Sequence, residues 1–215
     1  MTRPYTLKRR AEQQAATRQR IVEAAVDLHG EVGPARTSLS MVAERAGVQR
    51  NTLYAHFPDE RSLLMACSAL ALERDPLPDA SAWRAIGDAD ERLRVGLDAL
   101  YGWYARNAAL AGCVLRDAEV HPLTREIAML RMGPAMEAIE RVLGAELDTI
   151  QRALLRVALG YATWRTLVRD GGLATEEAID ALVAGIGGAR NARAGGRGAK
   201  RGVSGARARS RLQTA

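Results

Sequence analysis

Residues 38–57, SLSMVAERAGVQRNTLYAHF, constrain the fold more than any other part of the chain. Thr37 or Ser38 can open a short helix carrying Leu39, Val42, Ala43 and Ala46. Gly47 stops that helix, because glycine tolerates the left-handed conformation that follows a helix C-terminus. A second short helix, Gln49–His56, begins at once. Two short helices joined by a Gly-containing turn are a helix-turn-helix, whose second member packs one side and offers the other to a groove. On a wheel of 100° per residue, Leu53 and Phe57 share one side. Arg50, Asn51 and Tyr54 span an arc of roughly 100° facing away, flanked by Thr52 and His56. Guanidinium and amide groups read guanine and adenine edges, and hydroxyls and imidazole suit phosphate oxygens. The mixture of two anchors and five polar groups therefore fits a DNA-reading helix.

The remaining chain predicts helices throughout. Alternating β-branched runs are missing, while Ala, Leu, Arg and Glu dominate. Thr17 can cap a helix with Ile21, Ala24, Ala25, Leu28 and Val32 on its apolar side, ended by Gly33-Pro34. Asp59 caps the next, with Leu63, Leu64, Cys67, Leu70 and Ala71 inward. DPLPDAS, residues 75–81, breaks the pattern and is the expected domain boundary. Helices are then expected near 88–106, 108–119, 122–144 with a kink at Gly133-Pro134, 146–169 and 175–186. From residue 187 the composition turns to Gly, Ala, Arg and Ser, which cannot bury enough surface to offset chain entropy, so disorder is expected over 189–215.

The segment TRQRIVEAAVDLHGEVGPARTSLSMVAERAGVQRNTLYAHFPDERSLL, residues 17–64, resembles the DNA-binding domain of TetR-type transcriptional regulators. Ala43, Ala46, Gly47, Val48, Thr52, Leu53, Tyr54, His56 and Phe57 carry the resemblance. Beyond it the likeness is one of layout only. The resemblance implies an all-α fold: a basic arm at 1–16, a three-helix helix-turn-helix DNA-binding domain at 17–74, and a helical effector-binding and dimerisation bundle at 82–188. A disordered basic tail closes the chain. It further implies that 49–56 enters the major groove, with Arg50 and Asn51 reading bases and Thr52, Tyr54 and His56 contacting phosphates. Ser38, Ser40, Gln49 and Arg61 complete the expected DNA-binding set. Three positions depart from the family pattern. Gln49 stands where Ser or Thr would cap the helix, Asn51 where Gly is common, and Glu60 where Lys would meet a phosphate, unless Arg61 substitutes.

Charge is unevenly placed. Residues 1–57 carry a net +4, residues 58–188 a net −6, and residues 189–215 a net +8 with no acidic residue. Both basic ends suit a polyanion, adding sequence-independent phosphate attraction, although Arg/Ala/Gly-rich tails also arise passively. No apolar stretch follows MTRPYTLKRRAEQQ, and LLMACSALAL (63–72) is too short to cross a bilayer. A soluble, cytoplasmic protein is therefore expected, with no membrane partner. Cys67 and Cys113 read as buried thiols; no CxxC pair and no clustered histidines suggest a metal, and no cofactor is expected.

In the second half, Trp103, Tyr104, Met129, Met132, Met136, Tyr161 and Trp164 are the expected effector pocket, against the simpler reading of ordinary core. Arg106, Arg116 and Arg131 could meet an anionic effector, though solvated surface charge is the plainer interpretation. The helices at 146–169 and 175–186 combine broad apolar stripes with Ala158, Gly160 and Ala162, and are expected to form a two-fold homodimer that binds a palindromic operator. The expected function is a sequence-specific transcriptional regulator, a repressor released by an unknown small molecule. The alternative is a DNA-binding regulator controlled by a protein partner. Paired carboxylates, nucleophile–base spacings and Gly-rich phosphate loops are missing from the sequence, which argues against an enzyme.

Overall fold

The computed structural model describes the backbone of residues 3–199 and the side chains of residues 8–189. Among the described residues the chain is helical and has no strand. It divides into two compact units, residues 1–82 with 99–139 and residues 83–98 with 140 onward.

The first unit opens with α1 (Arg3–Glu31), a single long helix. Thr17 therefore lies inside a helix and does not begin one. The preceding residues are mostly Ala, Gln, Arg, Lys and Glu, which propagate a helix well, and Pro4 falls in the first turn where its missing N–H does no harm. The stretch expected as a basic arm is helical from Arg3. A 3₁₀ turn (Pro34–Arg36) leads to α2 (Leu39–Arg45) and α3 (Arg50–His56), then α4 (Glu60–Arg74). Ser38 caps α2 by accepting from the Met41 N–H at 3.3 Å, and Asp59 caps α4 by accepting from the Ser62 N–H at 2.7 Å.

The core of this unit gathers Ile21, Ala24, Ala25 and Leu28 of α1, Val42 and Ala43 of α2, Leu53 and Phe57 around α3, and Leu63, Leu64 and Cys67 of α4. Ile127 belongs to the same core and comes from α7 (Pro122–Leu143). The helix-turn-helix segment is thus not packed by its own residues alone. Helix α6 (Ala108–Ala118) lies against α1, and α5 (Ala89–Arg106) contributes its second half. Although residues 75–81 leave helical structure as expected, Asp75 is anchored: it accepts from Arg106 and Asn107 side chains, and its carbonyl accepts from the Trp103 indole N–H at 3.0 Å.

In the second unit, Leu93 and Leu97 of α5 and Val142 and Leu143 of α7 are buried. A Cβ on Gly96 would stand 2.6 Å from Leu143 Cδ2, so a side chain there would force Leu143 to shift. Helix α8 (Thr149–Ala158) starts with a capping box in which Asp148 and Gln151 satisfy each other's backbone N–H groups. The single helix expected at 146–169 is two segments. The backbone turns extended at Gly160, and α9 (Tyr161–Trp164) continues as a π-helix over Arg165–Asp170. The apolar pattern runs unbroken across this point, whereas Gly160 supplies the break by lacking helix propensity. Helix α7, by contrast, continues through Pro134.

The last helix, α10 (Thr175–Ala199), packs on α8, and buried Gln151 donates to the Ile186 carbonyl at 3.0 Å. It extends past residue 188, so the first part of the segment expected to be disordered is helical. Residues from 200 onward lie outside the described residues, and with them most of the basic tail.

Candidate nucleic-acid interface

The turn between α2 and α3 is set by Gly47, whose φ of 64° lies in the left-handed region. Its N–H donates to the Glu44 carbonyl at 3.0 Å and the Val48 N–H to the Ala43 carbonyl at 2.9 Å, which closes α2 and aims the chain into α3. Leu53 and Phe57 are each only 1% exposed. On the opposite side Arg50, Asn51 and Tyr54 are exposed, with Thr52 and His56 half-buried at the flanks. Tyr54 leaves 44% of its surface in water, a large aromatic at a position that packing does not require. The guanidinium of Arg18, on α1, lies 4.8 Å from the Phe57 ring centroid and ties the end of α3 to α1. Nothing in the local pattern of α1 distinguishes Arg18 from its neighbours Arg20 and Gln19.

Gln49 occupies the N-cap of α3 with the extended backbone that position needs, but its side chain makes no capping bond. Ser38 is exposed and spends its acceptor on the α2 cap, while Ser40 is half-buried. Arg61, the expected stand-in for a phosphate-binding Lys, faces Glu126 of α7 through two parallel bonds of 2.8 and 2.7 Å. That pairing raises the Arg61 pKa and holds the Glu126 carboxyl below its ordinary range. Glu60 lies 3.7 Å from His121 Nε2. Glu126 near the start of α7 and His121 just before it are thus neighbours of Arg61 and Glu60, pairings that the sequence did not reveal.

The exposed polar side of α3 and the α2–turn–α3 geometry coincide with a known pattern. Residues 21–67 match the family described as bacterial regulatory proteins, tetR family. Among solved structures, the hemolysin II transcriptional regulator HlyIIR superposes with a TM-score of 0.59 at 16% identity, covering 79% of this chain and 98% of that one. The regulator PfmR from Thermus thermophilus gives 0.55 at 24% identity, covering 77% and 96%. A putative fatty acid metabolism regulator from Clostridium perfringens gives 0.56 at 20% identity, covering 78% and 96%. No curated protein matches the chain in sequence.

Residues 21–67 belong to the tetR family.

This matched segment holds the helix-turn-helix of α2 and α3, the DNA-binding part of such regulators. No helix among the described residues is long and apolar enough to cross a membrane. No group of three or more His, Cys, Asp or Glu among them could hold a metal ion.

Within the first unit, a cavity of about 80 Å³ opens between α1, α4, α5, α6 and α7. Of the residues expected as an effector pocket, it is lined by Trp103 and Met132. Tyr104 is buried and stacks edge-on against Trp103, Met136 is half-buried, and Met129 is 68% exposed on the outer side of α7. Tyr161 and Trp164 belong to the second unit, where their rings meet at 5.2 Å. The expected set is therefore distributed, because the three methionines do not share one burial. His29 and Cys67 line the cavity and were not singled out as pocket residues. Their Nδ1 and Sγ atoms lie 3.4 Å apart. Burial lowers the His29 pKa to about 4, against an opposing pull from Asp117, and pushes the Cys67 thiol up to about 12. Both are neutral at pH 7.

Arg106 and Arg116 are paired, with Asp75 and Asp117 respectively. Arg131 lines the cavity.

Proposed function

We propose that two copies of this chain bind a palindromic operator through α3, repress transcription there, and leave the DNA when a small molecule occupies the helical body. Arg50 and Asn51 read base edges, and Thr52, Tyr54 and His56, with Ser38, Ser40 and Gln49 beside them, contact phosphate and sugar. The observation that carries this reading is the division of one short helix. Leu53 and Phe57 are locked in the core while Arg50, Asn51 and Tyr54 stand exposed on the other side. Pairing is supported by α8, whose Ile150, Leu154 and Val157 are 42%, 38% and 59% exposed at helical spacing.

The test is fluorescence anisotropy with DNA selected by the protein from a random pool, with and without candidate metabolites. Arg50→Ala and Tyr54→Ala should each remove specific binding while hardly moving the thermal midpoint, because both residues lie on the exposed side of α3. Retained specific binding in both variants would refute the assignment of α3 as the reading helix. Release by no metabolite, with repression intact, favours control by a protein partner.

A further inference from the structure

Most of the residues lining the cavity in the first unit are apolar, among them Val26, Leu64, Leu110, Val114, Leu115 and Ile127. Its polar side chains mostly have partners. Asn107 donates to Asp75 and to the Trp103 carbonyl, Ser68 to the Met65 carbonyl, Thr124 pairs with His121, and His29 with Cys67. Arg131 differs. One terminal nitrogen donates to the Met65 carbonyl at 2.9 Å, but its Nε is buried without a hydrogen-bond partner. Among the described residues no carboxylate forms an ion pair with it.

A guanidinium stays charged at any relevant pH, so it cannot relieve the cost of burial by losing a proton. A buried N–H donor left unpaired is expensive, and the more so on a cation. The planar edge of an arginine offers parallel N–H groups that match the two oxygens of a carboxylate. The cavity therefore combines one unspent cationic donor with an apolar chamber of about 80 Å³. That is room for several waters or for one small ligand. A second negative charge on the ligand would meet no second Lys or Arg among the lining residues.

We infer that this cavity binds a small apolar monocarboxylate, its carboxylate held by Arg131 and its hydrocarbon body by the aliphatic walls. This names the chemical class of the effector and, as regulation, rests on the release step proposed above. The binding itself does not depend on DNA.

The experiment is titration calorimetry on the full chain without DNA, using benzoate and hexanoate as probes and benzamide and hexanamide as neutral counterparts of the same shape. At least one acid should bind one per chain, and its amide at least tenfold more weakly. Arg131→Met should weaken the acid at least tenfold with circular dichroism unchanged, and Arg131→Lys should fall between. Amides binding as tightly as acids, or neither acid binding at millimolar concentration, overturns the site; this comparison on the unaltered chain needs no variant to fold. Operator affinity, measured by anisotropy with the same probes, separates the two readings. Acid bound with operator affinity unchanged leaves the site standing and removes the release step. No acid bound while another metabolite releases the operator removes the site and leaves the release step.

Discussion

Arg61, in the first turn of α4, and Glu126, in the second turn of α7, meet fork to fork through bonds of 2.8 and 2.7 Å. Their partnership joins the helix that follows the DNA-reading segment to a helix of the cavity wall, since Thr124 and Ile127 on either side of Glu126 line the cavity. Both partners are about half exposed, so the pair adds little to stability and is screened by salt. Its consequence lies in what it withholds from DNA.

Glu126→Gln should tighten DNA binding and steepen its salt dependence by about one unit of slope, because Arg61 is then free for a phosphate. The thermal midpoint should hardly move. Adding Arg61→Ala to this variant should cancel the gain. Salt titrations of operator affinity with unchanged slopes would place Arg61 out of reach of the DNA.

His29 makes folding stability depend on pH. Its folded pKa, about 4, lies below the ordinary value of 6.5, so the unfolded chain binds the proton more readily. The stabilisation is complete above pH 6.5 and is lost as pH falls through 6.5 to 4, a change of up to about 3 kcal/mol. Urea denaturation across that window should show the decline, and His29→Gln should flatten it. The thiol of Cys67, pushed up to about 12, should resist alkylation in the native chain while half-buried Cys113 reacts first.

Much of this architecture can be read directly from spacing. Ile21, Ala25 and Leu28 mark the buried side of α1, Gly47 the turn between α2 and α3, Leu53 and Phe57 the anchors of α3, and Asp59 the cap of α4. Each is a local rule acting within a few residues. What escaped the sequence involves partners far apart in the chain. Arg61 and Glu126 are 65 residues apart, and the Ala35 N–H donates to Asp117 across 82 residues. Ile127 completes the core of a segment that ends before residue 75. Such pairings leave no periodic trace, and a methionine row such as Met129, Met132 and Met136 cannot show which member faces inward. The break at Gly160 was hidden because the apolar pattern continues through it.

Two glycines should respond very differently to alanine. Gly33 has φ 95° with an extended ψ of 157°, a region essentially restricted to glycine, and a Cβ there would collide with the Asp117 carboxylate that holds the Ala35 N–H. Gly47 has φ 64° with open space around it, so only backbone strain opposes a side chain. Gly47→Ala should cost about 1 kcal/mol, with Gly47→Asn milder, while Gly33→Ala should cost more than that and loosen α6 from the turn after α1. Thermal denaturation of the three variants checks the order. Equal losses for the two alanines would show that the Asp117 clasp yields without penalty.

The exposed row on α8 gives the last prediction. Ile150, Leu154 and Val157 fall one turn apart on a helix whose other side holds buried Gln151, Leu155 and Ala158. Three aliphatic side chains in a line are an improbable water-facing surface unless a second copy covers them. Leu154→Asp sets a charge in the middle of that row, where burial against a partner would leave it unpaired. Because Leu154 is 38% exposed in the single chain, the fold should tolerate the change. Sedimentation should report a dimer for the parent and a monomer for the variant at micromolar concentration. Operator binding should weaken steeply, although α3 is untouched, because one head alone meets only half of a two-fold site. A variant that remains dimeric would move the pairing surface away from α8.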